Sequence, residues 1–376
     1  MQTTHPALVP QRIGAIDLKN RLAVAPMTRV SAAPDGTPTN EMASYYAEFG
    51  RGGFGVVITE GTYTDVAHSQ SYLNQPGLAV DAHVEGWRRV VDAVHAEGVP
   101  IIAQLMHAGA LSQGNSHGIK TIAPSPIAPR GEMLEEYGGS GSWPTPREMR
   151  DVDIESVVEG FAEAAVRSQA AGFDGVELHA ANGYLLDQFL TAYTNTRDDE
   201  FGGAVVNRIR LTARIVAEIG ERIEGDFLCG VRLSQTKVND FTYRWPGGAA
   251  DGEVIFSELA KAGADYLHIA SEGRDFIDTA RLSDGRTITA LAREVTGLPV
   301  MANGGMHDLR QAAAVIDGGH ADLVSIGRGA LANPDLPARL IGCADLERFD
   351  HAMLAPMATI ANARAWRAHH MTRSRG

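Results

Sequence analysis

The stretch "GVELHAANGYLLDQF", Gly175 to Phe189, decides how the chain is read. It begins as a buried strand, Val176 to Leu178, breaks into three hydrogen-bonding side chains, His179, Asn182 and Tyr184, and turns apolar again at Leu185. An apolar run with no polar face belongs to a strand covered on both sides, as in a parallel sheet wrapped by helices. Polar groups massed where such a strand ends suit a fold that gathers strand ends around one site.

The same grammar recurs in both directions from this stretch. Strands are expected at "LAVAPM" (22 to 27), "GVVITE" (55 to 60), "PIIAQL" (100 to 105), "DGVELH" (174 to 179), "FLCGVRLS" (227 to 234), "DYLHIAS" (265 to 271), "LPVMANG" (298 to 304) and "DLVSIG" (322 to 327). Helical periodicity follows near 40 to 50, 81 to 98, 153 to 171, 204 to 222, 252 to 262, 287 to 296, 307 to 317 and 329 to 340. Gly98, Gly172, Gly263 and Gly318 stand just past the last periodic residue, where helices stop. Eight such units predict an α/β protein, a closed (β/α)8 TIM barrel, and one domain spanning 1–376. The longest interruption, 108–150, is rich in Gly, Pro and Ser and is expected to be an inserted lid over a site, after the third strand. The segment 343–376 ends in the basic "NARAWRAHHMTRSRG" and reads as a solvated or frayed tail.

Composition narrows the function. A formal charge of −13 lacks the basic footprint of a nucleic-acid binder, and no apolar run approaches the roughly 18 residues of a membrane span. Two cysteines, Cys229 and Cys343, exclude a disulfide framework and a four-thiolate iron–sulfur cluster. The N-terminus has neither the basic nor the apolar part of a secretory signal, so the expected compartment is the reducing cytoplasm.

In a barrel the chemistry sits at the carboxyl ends of the strands. Thr28, Glu60, Gly61, Gln104, His107, Arg232, Gly304, Gly305, Gly327 and Arg328 all fall there, with His179, Asn182 and Tyr184. The glycines after strands seven and eight, with Arg328, form a candidate phosphate site. "GRGGFG", Gly50 to Gly55, matches a dinucleotide fingerprint but runs from helix to strand, the wrong order, and is a helix-ending turn. No histidine pair has zinc-like spacing, so no metal is expected. A Schiff-base aldolase would need a strand-end lysine; Lys237 is the one near that position, and a solvated loop lysine is the better reading of it. His179 and Asn182, three apart, would share a face of a helical turn and point two neutral donors at an oxygen gaining negative charge, with Tyr184 as general acid. The bland alternative is a capping Asn182, a packed Tyr184 and a satisfied His179.

These residues stand within longer motifs. "NRLAVAPMTR", "GVVITEGTY", "IIAQLMHAGA", "APSPI", "GFDGVELHAANGYLLDQFLTAYTNTRDDEFGG", "NRIRL", "VRLS", "ANGGM" and "GRGALANPDLPARL" occur in the order found in the old yellow enzyme family of FMN-dependent ene-reductases, which the chain resembles from residue 20 to 340. The resemblance implies a tightly bound, non-covalent FMN lying on Pro26, Met27 and Thr28, with the Thr28 hydroxyl near flavin O4 and N5. Gly61 would pass close to the ring, Gln104 would read its pyrimidine edge and Arg232 would offset charge at N1 and O2. Gly304, Gly305, Gly327 and Arg328 would hold the phosphate.

It further implies NADH or NADPH as hydride donor in ping-pong kinetics and a small electron-poor alkene as substrate: an enone, enal, maleimide or nitroalkene. His179 and Asn182 match the pair that binds the substrate's oxygen, and Tyr184 matches the proton donor. Met106 stands where the family usually has tryptophan, and "RLSQTKVNDFTYRW" departs from the frequent forms. Nitroester or nitroaromatic reduction and oxidative N-demethylation are alternatives on the same fold; a non-catalytic flavin-binding barrel is one of another class. The resemblance also allows a homo-oligomer in which Arg364 or Arg367 reaches a partner subunit's site.

Overall fold

The computed structural model describes residues 5–118, 120–270 and 276–373. Among them eight parallel strands close on themselves: β1 (Leu22–Val24), β2 (Val56–Ile58), β3 (Ile101–Met106), β4 (Gly175–Asn182), β5 (Leu228–Lys237), β6 (Tyr266–Ala270), β7 (Val300–Asn303) and β8 (Leu323–Ile326). Each pairs with its neighbours in chain order, and β8 pairs with β1 to complete the ring. The protein is a (β/α)8 barrel. The predicted sixth strand reaches Ser271, which lies outside the described residues.

The outer ring comprises α1 (Asn40–Arg51), α2 (Ala82–His95), α3 (Asp151–Ala171), α4 (Arg210–Arg222), α5 (Ala249–Lys261), α6 (Ile288–Thr296), α7 (Leu309–Asp317) and α8 (Leu336–Ile341). Side-chain caps start several of them: Thr39 accepts from the Met42 amide, Thr287 from Ala290, and Asp308 from Arg310 and Gln311. The helix expected at 204 to 222 is broken at Ile209, and that expected at 329 to 340 is two short helices separated at Asn333 and Pro334, where proline disfavours continuation. Gly50 to Gly55 closes α1 and leads into β2, with Gly53 in the left-handed region.

Two of the elements not expected from the sequence bear on which face of the barrel is open. An antiparallel hairpin, Gln11–Ile13 with Ile16–Leu18, packs Ile13 and Leu18 against Leu228, Tyr266, Met301 and Leu323 and plugs the amino end of the barrel. The polar strand ends are thereby left as the open face. The second is a C-terminal helix, α9 (Ile360–Arg373), where a frayed tail was expected. Met353, Ala358, Ile360 and Ala363 are buried, the Ile360 amide donates to Ser31 Oγ at 3.0 Å, and Arg29 donates to the Thr359 carbonyl at 2.7 Å. Arg364 pairs with Glu48 at 3.1 Å and Arg367 reaches the same carboxylate at 3.6 Å, so within this chain both arginines are engaged on α1.

Candidate active site

The carboxyl ends of the strands open into a cavity of about 590 Å³. Thirteen residues expected at the site line it: Pro26, Met27, Thr28, Gly61, Gln104, His179, Asn182, Tyr184, Arg232, Gly304, Gly305, Gly327 and Arg328. Leu134, Glu136 and Tyr137 of the 108–150 connection also line it, as does Leu354. The Ala358 amide donates to the Glu136 carbonyl at 2.9 Å, tying the connection to the C-terminal segment.

The floor is a polar layer inside the barrel. Glu177 is fully buried, and its carboxylate accepts from Gln104 Nε2 at 2.8 Å, Tyr266 OH at 3.0 Å and His268 Nδ1 at 2.9 Å. Burial opposes its ionisation, but His268, Arg232 and Gln104 together outweigh that and hold the carboxyl below its usual range. Gly230 on β5 makes room: a Cβ there would lie 2.1 Å from the Tyr266 ring, which crosses that position to reach Glu177. Arg232, next along the inward face, donates to Asn303 Oδ1 at 2.9 Å, and Asn303 donates to the Ser325 carbonyl at 3.1 Å. Gln104, which donates one side-chain N–H to Glu177, also lines the cavity.

One wall carries the cluster of the opening stretch. His179 and Asn182 both belong to β4, not to a helical turn as the spacing suggested. In a regular strand residues three apart face opposite ways. Asn182 has φ +63°, in the left-handed region that asparagine tolerates, and the turn there brings both to the cavity. The His179 and Tyr184 ring centroids are 5.0 Å apart. Burial, with Arg232 and His268 nearby, depresses the His179 pKa well below 6.5, so the imidazole is neutral. Among the described residues nothing hydrogen-bonds its Nδ1. Burial raises the Tyr184 phenol to about 12, opposed by its hydrogen bond with Tyr72 and by Arg232.

Other expected positions fall elsewhere. Glu60 is buried behind the cavity wall: Oε2 accepts from the Arg29 amide at 2.7 Å and Oε1 from Tyr46 OH at 3.1 Å, and burial raises its pKa to about 7. His107 is buried 3.5 Å from Asp65. Lys237 is not a solvated loop lysine; it is 1% exposed and paired with Asp187. None of the three lines the main cavity. Among the described residues no group of three metal-ligating side chains occurs, and no helix is long and apolar enough to cross a membrane.

The reading missed Tyr72, whose hydroxyl meets that of Tyr184, and the partners Glu177 and His268. A signal for Glu177 existed: Glu177 and His179 are two apart on one strand, so a buried carboxylate shares the inward face with the site histidine.

A closed barrel whose strand-end cavity joins a glycine and arginine rim to a neutral imidazole, an amide and a phenol defines a cofactor-dependent enzyme class. Residues 8–343 match the NADH:flavin oxidoreductase / NADH oxidase family. A probable flavin mononucleotide-dependent alkene reductase of Leishmania infantum is 34% identical over 352 residues, 92% of this chain and 93% of that protein. The old yellow enzyme homologue of Zymomonas mobilis superposes with TM-score 0.80 at 34% identity, covering 91% of this chain and 94% of that one. A morphinone reductase variant in complex with tetrahydroNAD gives 0.83 at 31%, covering 94% and 96%. The chain belongs to this family, the old yellow enzymes, and is an FMN-dependent oxidoreductase.

The cavity fits that cofactor on its own evidence. Its size is that of a small-molecule site. A Cβ at Gly61 would lie 2.3 Å from Met106 Sδ, so a side chain there would displace Met106, and Gly304 and Gly305 line the cavity at φ +132° and +66°, a backbone region that favours glycine. The buried Nδ1 of His179 has no hydrogen-bond partner among the described residues, as befits a group that meets a bound small molecule.

Proposed function

We infer that the protein reduces the carbon–carbon double bond of small electron-poor alkenes with NADH or NADPH as reductant. The observation that carries this reading is the neutral His179 beside Asn182 and a protonated Tyr184 on one wall of the cavity. FMN, when bound there, would supply the hydride transfer between the nicotinamide and the alkene. Thr28, Gln104 and Arg232 would orient it, and Gly304, Gly305, Gly327 and Arg328 would hold its phosphate. His179 and Asn182 bind the carbonyl or nitro oxygen and stabilise the negative charge that grows there, and Tyr184 gives its proton to the α-carbon. The apolar wall of Tyr72, Met106, Tyr137 and Val238 keeps water from the reacting carbon.

Turnover of cyclohexenone with release of the saturated ketone tests the reading; an inert, flavin-loaded protein would support flavin binding without catalysis. Two further outcomes are expected. Arg328→Ala should weaken FMN binding. A charged hydrogen bond is worth about 1.5 to 3 kcal/mol, and the exposure of Arg328 favours the lower end, about tenfold in Kd, read by flavin fluorescence on titrating apoprotein. An unchanged Kd would place the phosphate elsewhere.

The enone half-reaction should be level from about pH 6 to about pH 9. His179, its pKa depressed, stays neutral through the ordinary histidine range and below it, and Tyr184 keeps its proton until pH approaches about 12. A break near the free-histidine value of about 6.5 would mean that His179 is solvated and charges.

A further inference from the structure

Asp187 and Lys237 form an ion pair that no step above uses. Lys237 Nζ donates to Asp187 Oδ1 at 2.6 Å, and the side chains are 1% and 0% exposed. Nζ also donates to the Ser234 carbonyl at 3.3 Å and lies 4.9 Å from the Tyr243 ring centroid. With its ammonium so engaged and outside the main cavity, Lys237 has no access to a carbonyl substrate. A pair this deep gains little stability over apolar side chains of the same size, because both charges give up their water. What it does is hold geometry.

The carboxylate's other oxygen shows which geometry. Asp187 Oδ2 accepts from the amide N–H of Gly183 at 2.7 Å, while Gln188 Nε2 donates to the Gly183 carbonyl at 2.7 Å. Gly183 is the residue between Asn182 and Tyr184. Both peptide groups of that glycine are therefore gripped from the helix that follows, Leu185–Leu190. On the opposite side β5 completes the clamp: the Asn182 amide donates to Ser234 Oγ at 2.8 Å, and the Val238 amide donates to the Asn182 carbonyl at 3.1 Å. Asn182 and Gly183, at φ +63° and +91°, are consecutive left-handed residues, a conformation that asparagine and glycine adopt more readily than other residues and that these hydrogen bonds fix here.

The geometry points to Asp187 and Lys237 as positioning residues that set the Asn182–Gly183–Tyr184 turn and, through it, the placement of the Tyr184 hydroxyl over the substrate. Lys237 fixes one carboxylate oxygen so that the other faces the Gly183 amide. This inference rests on the reading of Tyr184 as proton donor.

The test replaces the pair by apolar side chains of similar size, Asp187→Leu with Lys237→Met, which leaves no buried charge unpaired. This variant is expected to fold and bind FMN, to melt somewhat lower because the Gly183 amide loses its acceptor, and to carry out the enone half-reaction on the order of tenfold more slowly. In a Tyr184→Phe background the same pair of changes should slow that step less than about twofold, because residues acting through one group are not additive. Unaltered enone kinetics in the first background, or an equal slowing in both, overturns the inference. If Tyr184→Phe alone leaves the enone step unchanged, the proton-donor reading fails first and takes this inference with it. Should the double variant not fold, Asp187→Asn asks the same question. An amide offers one oxygen where the carboxylate offers two, so it cannot serve both Lys237 and Gly183, and the same slowing confined to the Tyr184 background is expected. Its absence counts against the inference equally.

Discussion

Tyr184→Phe is expected to slow enone reduction by on the order of 10² to 10⁴ while leaving reduction of the bound flavin by NADH or NADPH near normal. The hydroxyl is buried, and burial raises its pKa to about 12, so at neutral pH it is a donor in its protonated form. Giving its proton to a carbon that is becoming an enolate requires that form, and accepting hydride from a nicotinamide does not. Nitroalkenes should be less affected, since a nitronate is stable enough to leave before it is protonated at carbon. Loss of the hydroxyl also strands that of Tyr72 in a buried position, at a cost to stability of about 1 to 3 kcal/mol. Stopped-flow measurement of each half-reaction separates the roles; equal slowing of both would make Tyr184 a packing residue.

His179→Ala should impair both half-reactions, because the imidazole is read as holding the oxygen of the alkene and the amide of the nicotinamide in turn. Removing one donor to a developing oxyanion typically costs 10² to 10³ in rate. The depressed pKa matters to this expectation: a neutral ring donates one hydrogen bond without bringing a fixed charge against Arg232, which lies beside it in register on β5. Binding of a phenol, followed by the long-wavelength absorbance it induces in a bound flavin, should weaken alongside the rates. Unchanged phenol and enone affinity would leave His179 as a core residue whose Nδ1 is satisfied by water.

The barrel was legible because each strand is a short apolar run closed by a polar residue, and the period changes from strand to helix eight times. The site was legible for a related reason: strand ends in a closed parallel barrel converge, so residues far apart in sequence could be assigned to one cavity before any contact was known. What stayed hidden depends on pairing across strands. Lys237 looks like a loop lysine because the carboxylate that buries it is fifty positions away, and nothing local marks Asp187 as its partner. Glu177 and His268 are ninety-one positions apart and meet only inside the ring. The amino-terminal hairpin has strands of three residues, too short for a periodic signal. The final helix was obscured by its basic composition, which the acidic Glu41 and Glu48 of α1 offset.

Product analysis of a cyclic enone incubated with the protein and NADH or NADPH in D2O tests the central claim most directly. The account predicts a saturated ketone, formed one for one with oxidised nicotinamide, carrying solvent deuterium at the α-carbon. An allylic alcohol, or unchanged enone in the presence of fully loaded FMN, would contradict it.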